Sequence, residues 1–504
     1  MMKPLDTRSY HGFRDMQKHL CIVGSGTAGL ITAIIIKGLL PDYKITIASS
    51  DKIGIIGVGE GSTEHWRIHF QDAHGISVSE MVEQCAATHK YGIRFEGWTK
   101  HTPDYFHSVS GGEIGPNYFA ANYASAVENG RLLTNSMICH LYDNKIPLNK
   151  DNPHNGVNQF HFDTHKLNNY LTGICKSRGI SFVEGIVKNI TRDSENGFIQ
   201  SIDLDTNKQI SADFFIDASG FNRVLMDKLV DSEKDFYSYR KYLPTDSAAV
   251  FPTKSDESGE IRPYTRARAM PNGWIFEIPT QERRGNGYIF ASDFCSDDQA
   301  VKELSQAYGR DITPAKIIKF KSGYYKTSMA FNCASIGLSS SFIEPLEATS
   351  IASSIQQARM LASVLSTFIK ESKFVVKQYN KQVDLMMENL VTMVAMHYIS
   401  DRDDSAMWKA QQNAEKPELL KNLIELWNER CPEVTDVPIF GYEIFHSAHF
   451  WHVAQGQGLL SKEAAGRQLD SYGSRIPAAL ILANLKTNAL TQKLVDHASI
   501  FKQR

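Results

Sequence analysis

Three groups of residues have types and spacings that could do chemistry. The first is Gly24-Ser25-Gly26-Thr27-Ala28-Gly29, a G-x-G-x-x-G run. In a phosphate cradle Gly24 permits a tight turn, Gly26 lets the backbone approach a pyrophosphate, and Gly29 lets a helix pack close to its strand. The second is Asp217-Ala218-Ser219-Gly220, which closes the apolar stretch Phe214-Phe215-Ile216. The third is histidine: His65 and His69 stand four apart, and His446, His449 and His452 stand three apart. Such spacings suit metal ligation from one helix face, but neither group has a cysteine or carboxylate partner at a telling distance. The sequence therefore predicts packed or exposed histidines and no metal.

Secondary structure must position these groups. His19 to Val23 reads as a short buried strand, the glycine run opens a helix reaching Leu40, Pro41-Asp42 turns the chain, and Tyr43 to Ala48 reads as a second strand. This is the strand–turn–helix–strand context that a dinucleotide fingerprint requires, with helix N–H groups and dipole directed at phosphate. The acidic residue expected after the second strand is missing; Ser49 and Ser50 stand there and Asp51 comes late. Ribose recognition is therefore assigned to a serine or to backbone groups. Further on, Asp163 to Arg178 is helical in pattern and Ile180 to Ile190 alternates. Phe198 to Leu204 with Gln209 to Ile216 reads as a hairpin around Thr206-Asn207. A strand ending in Asp-x-Ser-Gly is where many FAD enzymes return the chain to the cofactor.

The fold class is thus α/β, Rossmann-like, with a second lobe. Residues 236–325 are β-rich and predict an antiparallel sheet interleaved with the core, and the chain turns helical from Thr349 (Ile351 to Lys370, Phe374 to Tyr398, Pro417 to Arg430). The predicted domains are a FAD-binding core over 19–350, holding the sheet lobe at about 236–325, and a mainly helical substrate-covering region over 351–504.

Composition removes several classes of function. Lys plus Arg number 54 against 56 Asp plus Glu in 504 residues, a net charge of −2, which leaves no basic excess for nucleic acid. The longest greasy run, Leu30 to Leu40, is interrupted by Lys37 and Gly38 and falls well short of the ~20 residues that span a bilayer. The polar first residues lack the apolar core of a secretory signal. Seven scattered cysteines without a C-x-x-C read as reduced thiols. A cytoplasmic location is expected.

Several separated motifs then agree. Gly57-Val58-Gly59-Glu60-Gly61-Ser62-Thr63, Lys90 in Ala87-Thr88-His89-Lys90, Gly273-Trp274-x-Phe276-x-Ile278-Pro279 and Phe342-Ile343-Glu344-Pro345-Leu346-Glu347-Ala348-Thr349 together resemble the flavin-dependent tryptophan halogenase family. Phe162-Asp163-x-His165, Pro263-Tyr264-Thr265 and His397-Tyr398 with Arg402, Asp404 and Trp408 add to the match, which runs from about residue 19 to about 410. The resemblance implies a flavin monooxygenase fold of the GR2 type. It implies that reduced FAD, O2 and halide yield hypohalous acid, which travels through an internal tunnel to Lys90, with Glu347 as acidic partner. An amine can both hydrogen-bond hypohalous acid and be halogenated by it, and burial would improve its nucleophilicity. A carboxylate can polarise the adduct and take the proton lost from the ring.

By the same resemblance the cofactor lies along residues 24–29, Ser49, Gly59, Glu60, Gly61, Val187, Leu338 and Ile351, and the halide at the amides of Thr349 and Ser350. Phe106, His107, Trp274, Phe276 and Pro345 are expected along substrate and tunnel. The expected partners are an aromatic small molecule and a separate flavin reductase, since a second nucleotide-binding unit is not evident; a homo-oligomer is left open. The sequence departs from the family where Phe276 replaces a second Trp, Ser350 a Gly, and Glu64 a Pro. Those changes leave the choice among chloride, bromide and iodide open. The indole pocket does not carry over, so tryptophan is not predicted as substrate. Two other readings compete. A single-component flavin hydroxylase would need Gly-Asp where Gly337-Leu338 stands, and a catalytically silent flavin scaffold would have no use for Lys90 and Glu347.

Overall fold

His19–Val23 buries residues on both faces, as a strand covered by helices on either side must. It pairs in parallel with Lys44–Ser49 on one edge and Phe214–Asp217 on the other. The computed structural model describes residues 18–54, 57, 60–102, 104–108, 141–147, 154, 157–254, 260–367, 372–472 and 494–501. Around the first strand a six-stranded sheet runs in the order Met329–Ala330, Cys333–Ser335, Phe214–Asp217, His19–Val23, Lys44–Ser49, Ser181–Glu184. Only the Met329–Ala330 edge is antiparallel. Helix Thr27–Leu39 buries eight consecutive residues, Gly29 to Ile36. It packs against both Thr164–Ser177 and Thr349–Ser366. The predicted α/β core is therefore present.

Two expected elements divide. Gln209 to Ile216 is not one strand: Gln209–Ser211 pairs antiparallel with Ile199–Leu204, while Phe214–Asp217 crosses into the parallel sheet. Asp213 makes the crossing, its carboxylate accepting the His19 N–H at 2.8 Å and its own N–H donating to the His19 carbonyl at 2.9 Å. Ile180 to Ile190 likewise splits into Ser181–Glu184 and Val187–Arg192, which belong to different sheets. Between them the Gly185 N–H donates to the Ser49 carbonyl at 2.9 Å.

The second sheet has seven strands in the order Lys316–Lys319, Ser247–Lys254, Arg283–Phe290, Gly273–Pro279, Thr265–Met270, Gly92–Glu96, Asp104–Ser108. It is wider than the 236–325 segment, because two strands from residues 92–108 extend it. Gly92–Glu96 joins parallel to Thr265–Met270. A small third sheet, Glu60–Gly61, Gln159–Phe162 and Thr88–Lys90, bridges the two larger ones. The chain passes from Lys90 into the second sheet through Tyr91, whose N–H donates to the Pro263 carbonyl at 2.8 Å.

Helices cover what remains: Thr349–Ser366, Lys373–His397, Ala406–Gln412, Glu418–Glu429, Ser447–Gly456 and Lys462–Tyr472. Ser447–Gly456 lies on strand Asp104–Ser108 and on Lys373–His397. One continuous apolar core links the parallel sheet, the second sheet and these helices. The six described cysteines are free and buried, and Cys139 lies outside the described residues. Among the described residues no helix is long and apolar enough to cross a membrane.

Candidate active site

The cradle is built as its sequence requires. Gly24 has φ +114°, and a Cβ there would strike the Ala218 carbonyl; a Cβ on Gly29 would come within 2.2 Å of the Gly24 carbonyl oxygen. These contacts hold the helix start against the strand ends. A Cβ on Gly26 would meet nothing within 4 Å, so the space over the turn is open. Helix Thr27–Leu39 has neither a side-chain cap nor an acidic residue in its first turn, so its leading amides face that space without a competing anion. This fits a pyrophosphate. The Thr27 hydroxyl donates to Asn168 Oδ1 at 2.9 Å and ties the turn to the neighbouring helix.

Two further residues expected along the cofactor, Leu338 and Val187, lie close to this turn. A Cβ on Gly337 would come within 2.6 Å of the Ala28 Cβ, which sets Leu338 beside the fingerprint turn. Val187 packs on the cluster containing Val23 and Ala48, next to Ser49. Ile351 is buried in the first turn of Thr349–Ser366. Burial lifts the Glu60 carboxyl to about 7. Gly59 lies outside the described residues. Tertiary structure also brings an acid to Ser50 that the sequence did not point to. Glu184, at the end of the adjacent strand, accepts the Ser50 hydroxyl at 2.7 Å.

Lys90 ends the strand Thr88–Lys90 and is only 2 % exposed. Its Nζ donates to the Ser62 carbonyl at 2.8 Å. Desolvation lowers its pKa to about 8, with the Glu347 charge pulling the other way. A Cβ on Gly61 would stand 3.4 Å from Lys90 Nζ and 3.6 Å from Ala348 Cβ, so the amine and the Glu347 turn approach each other across a glycine.

Glu347 and Ala348 both take left-handed backbone conformations, φ 68° and 56°, before helix Thr349–Ser366 begins. Two such non-glycine residues cost about 1–3 kcal/mol each, strain of the kind that clusters at functional sites. The helix starts without a side-chain cap and without an acid in its first turn, leaving the Thr349 and Ser350 end open to an anion. Glu347 is buried between two histidines, with Oε2 2.7 Å from His107 Nδ1 and Oε1 2.8 Å from His397 Nε2. Burial pushes its pKa up, and the two rings more than reverse this, so it lies below the usual carboxylate range.

A polar chain extends from both rings. His397 Nδ1 is 2.9 Å from the Tyr105 hydroxyl, and His107 Nε2 is 2.9 Å from His449 Nδ1. His449 Nε2 in turn lies 3.4 Å from Glu64 Oε1. His397 appeared in a motif, but its place beside Glu347 could not be read from spacing, nor could those of Tyr105 or His449.

Some expected placements change. Strand alternation sends Phe106 away from His107: its ring packs edge-on to Tyr142 and Tyr264, centroids 4.9 and 5.0 Å away, so the two do not form one aromatic wall. Pro345 is exposed where the chain enters the Glu347 turn. Trp274 and Phe276 are buried in the second sheet, centroids 6.1 Å apart, with Trp98 6.1 Å from Trp274. Glu344 acts as an internal anchor, accepting the Tyr398 hydroxyl at 2.8 Å and the Thr245 hydroxyl, with burial raising its pKa to about 7.

An open glycine turn at a helix start on a GR2-like α/β sheet, a second uncapped helix start and a buried amine beside a buried carboxylate make up the site. The tryptophan halogenase family matches residues 19–470, and the chain belongs to that family. Tryptophan 6-halogenase SttH of Streptomyces toxytricini is 30% identical over 448 residues, 82% of this chain and 85% of the relative. Tryptophan 7-halogenase RebH of Lentzea aerocolonigenes is 29% identical over 484 residues, 88% and 89% of the two chains. Among solved structures, SttH superposes with a TM-score of 0.87 at 26% identity over 96% of this chain and 99% of that one. BrvH, a flavin-dependent halogenase from Brevundimonas sp. BAL3, gives 0.82 at 25% identity over 96% and 99%. The chain is a flavin-dependent halogenase of aromatic substrates, with FADH2 and halide as co-reactants, and the hydroxylase reading falls away.

Proposed function

We propose that the chain halogenates an electron-rich aromatic small molecule other than tryptophan, with Lys90 carrying the oxidised halogen and Glu347 acting as the proton acceptor. The observation that carries this reading is the Lys90 amine, withdrawn from water, lowered to about 8 and set across Gly61 from the Glu347 turn. Reduced FAD bound at the cradle supplies, with O2 and halide, hypohalous acid. The free amine attacks the halogen of HOX, forming the N–X bond and releasing water. The aromatic carbon then takes X from Lys90, the N–X electron pair staying on nitrogen; the ring proton leaves to Glu347, which passes it on to that nitrogen and so restores the amine. The His107 and His397 rings keep that carboxylate ionised and aimed. Confinement by Trp274, Phe276 and their neighbours keeps an indiscriminate oxidant from other targets.

The halide is assigned to the Thr349 and Ser350 amides, where an uncapped 18-residue helix favours an anion. The flavin is assigned to residues 24–29 and the groups around them, with Ser49, Ser50 and Glu184 toward the ribose. A separate reductase in the cytoplasm delivers FADH2, because one fingerprint alone serves the flavin. The test is mass spectrometry of products from phenols, indoles and anilines given FADH2 with chloride, bromide or iodide in turn. Halogenated products lost in Lys90→Ala, with FAD binding retained, are the expected result. Full turnover by Lys90→Ala overturns the lysine's role, turnover on NADH alone overturns the separate reductase, and tryptophan as the sole product-forming substrate overturns the substrate class.

A further inference from the structure

Glu64 stands where the family usually has proline, and the fold brings it to two histidines from the other end of the chain. We propose that Glu64, His446 and His449 form a site for one divalent transition-metal ion of the zinc class, joined to Glu347 through His107. The sequence alone predicts no metal, for want of a carboxylate near the histidines; tertiary structure supplies one.

The donor set is two imidazole nitrogens and a carboxylate oxygen, which suits zinc and similar ions and leaves a further position for water or a substrate donor. His446 and His449 open helix Ser447–Gly456 three residues apart, and their ring centroids lie 4.2 Å from each other. Glu64 Oε1 is 3.5 Å from His446 Nε2 and 3.4 Å from His449 Nε2, and all three donor atoms fall within 4.8 Å of one another. Ligands at about 2.0–2.1 Å from a tetrahedral ion stand roughly 3.4 Å apart, so two edges of the coordination polyhedron are already at length. The His446 side chain is 38% exposed and that of Glu64 18%, which gives the ion a way in.

The site is also linked to the buried carboxylate. His449 Nδ1 lies 2.9 Å from His107 Nε2, and His107 Nδ1 lies 2.7 Å from Glu347 Oε2. With an ion on His449 Nε2, His107 is the outer partner that orients a metal-bound histidine.

Titration of the chelator-stripped full chain with Co2+ tests this. The expected result is saturation at one equivalent, with visible ligand-field bands that Zn2+ abolishes by displacement. Glu64→Gln and His446→Ala should each weaken binding about tenfold or more while keeping the circular dichroism spectrum. His101→Ala, at an exposed histidine elsewhere, should bind as the parent does. No cobalt bands, or bands that survive unchanged in both Glu64→Gln and His446→Ala, overturn the site. The outcome does not depend on which aromatic compound is halogenated, so failure here and failure of the halogenation reading are separable.

Discussion

The cofactor cradle and the halogenating centre are built in opposite ways. The cradle is local: six consecutive residues make the turn, and its tolerances are set by backbone contacts such as Gly29 against the Gly24 carbonyl. The centre is assembled from segments spread along the chain, with Lys90, His107, Glu347, His397 and His449 each delivered by a different strand, turn or helix. A local motif can survive changes of fold around it. An assembled centre depends on the register of every element that feeds it, so its polar groups must be satisfied by one another. Contacts of 2.7 to 3.4 Å link Glu64, His449, His107, Glu347, His397 and Tyr105 in that order.

The contrast can be broken most directly at Lys90. Lys90→Ala should lower halogenation on the order of 10³-fold or more while leaving FAD affinity within about twofold, measured by product formation and flavin titration. Glu347→Gln should cost on the order of 10²-fold in kcat, again with FAD binding intact. The cradle should behave in reverse. Gly29→Ala forces a Cβ onto the Gly24 carbonyl and should remove about 1–3 kcal/mol of stability, lowering both melting temperature and flavin occupancy.

Two pH measurements sharpen the comparison. Halogenation should rise with pH through about 8, as the Lys90 ammonium loses its proton, and then level off. Glu347 holds that proton on, so in Glu347→Gln the rising limb of the residual activity should move to lower pH; a limb that stays put would separate the two groups. The smallest effect is expected for His107→Phe, a few-fold loss near neutral pH. The His107 ring keeps the Glu347 pKa low, so without it the carboxyl protonates more readily and the deficit should grow as pH falls.

Much of this molecule was legible from the chain alone, for a physical reason. The strand–glycine–helix unit, the long helices after Thr349 and the alternating second-sheet strands depend on short-range rules, namely glycine geometry, helix periodicity and strand alternation. Even there, Gln209 to Ile216 misled, because an apolar run does not reveal that Asp213 will be captured by the His19 backbone. Phe106 and His107 misled differently: neighbours in sequence face opposite sides of a strand, and only His107 reaches Glu347.

Lys90 and Glu347 could be named only through the motifs that resemble the halogenase family, since by type alone a lysine or a carboxylate is most often a solvated charge. Their burial, the lowered amine pKa and the two histidines flanking the carboxylate follow from long-range packing, which residue spacing does not encode. Glu64 meeting His446 and His449 is the extreme case: nothing nearby in the chain marks those residues as partners, and they become neighbours only where the fold brings the start of helix Ser447–Gly456 to the segment around residue 64, with His65 Nε2 3.2 Å from the Glu443 carbonyl.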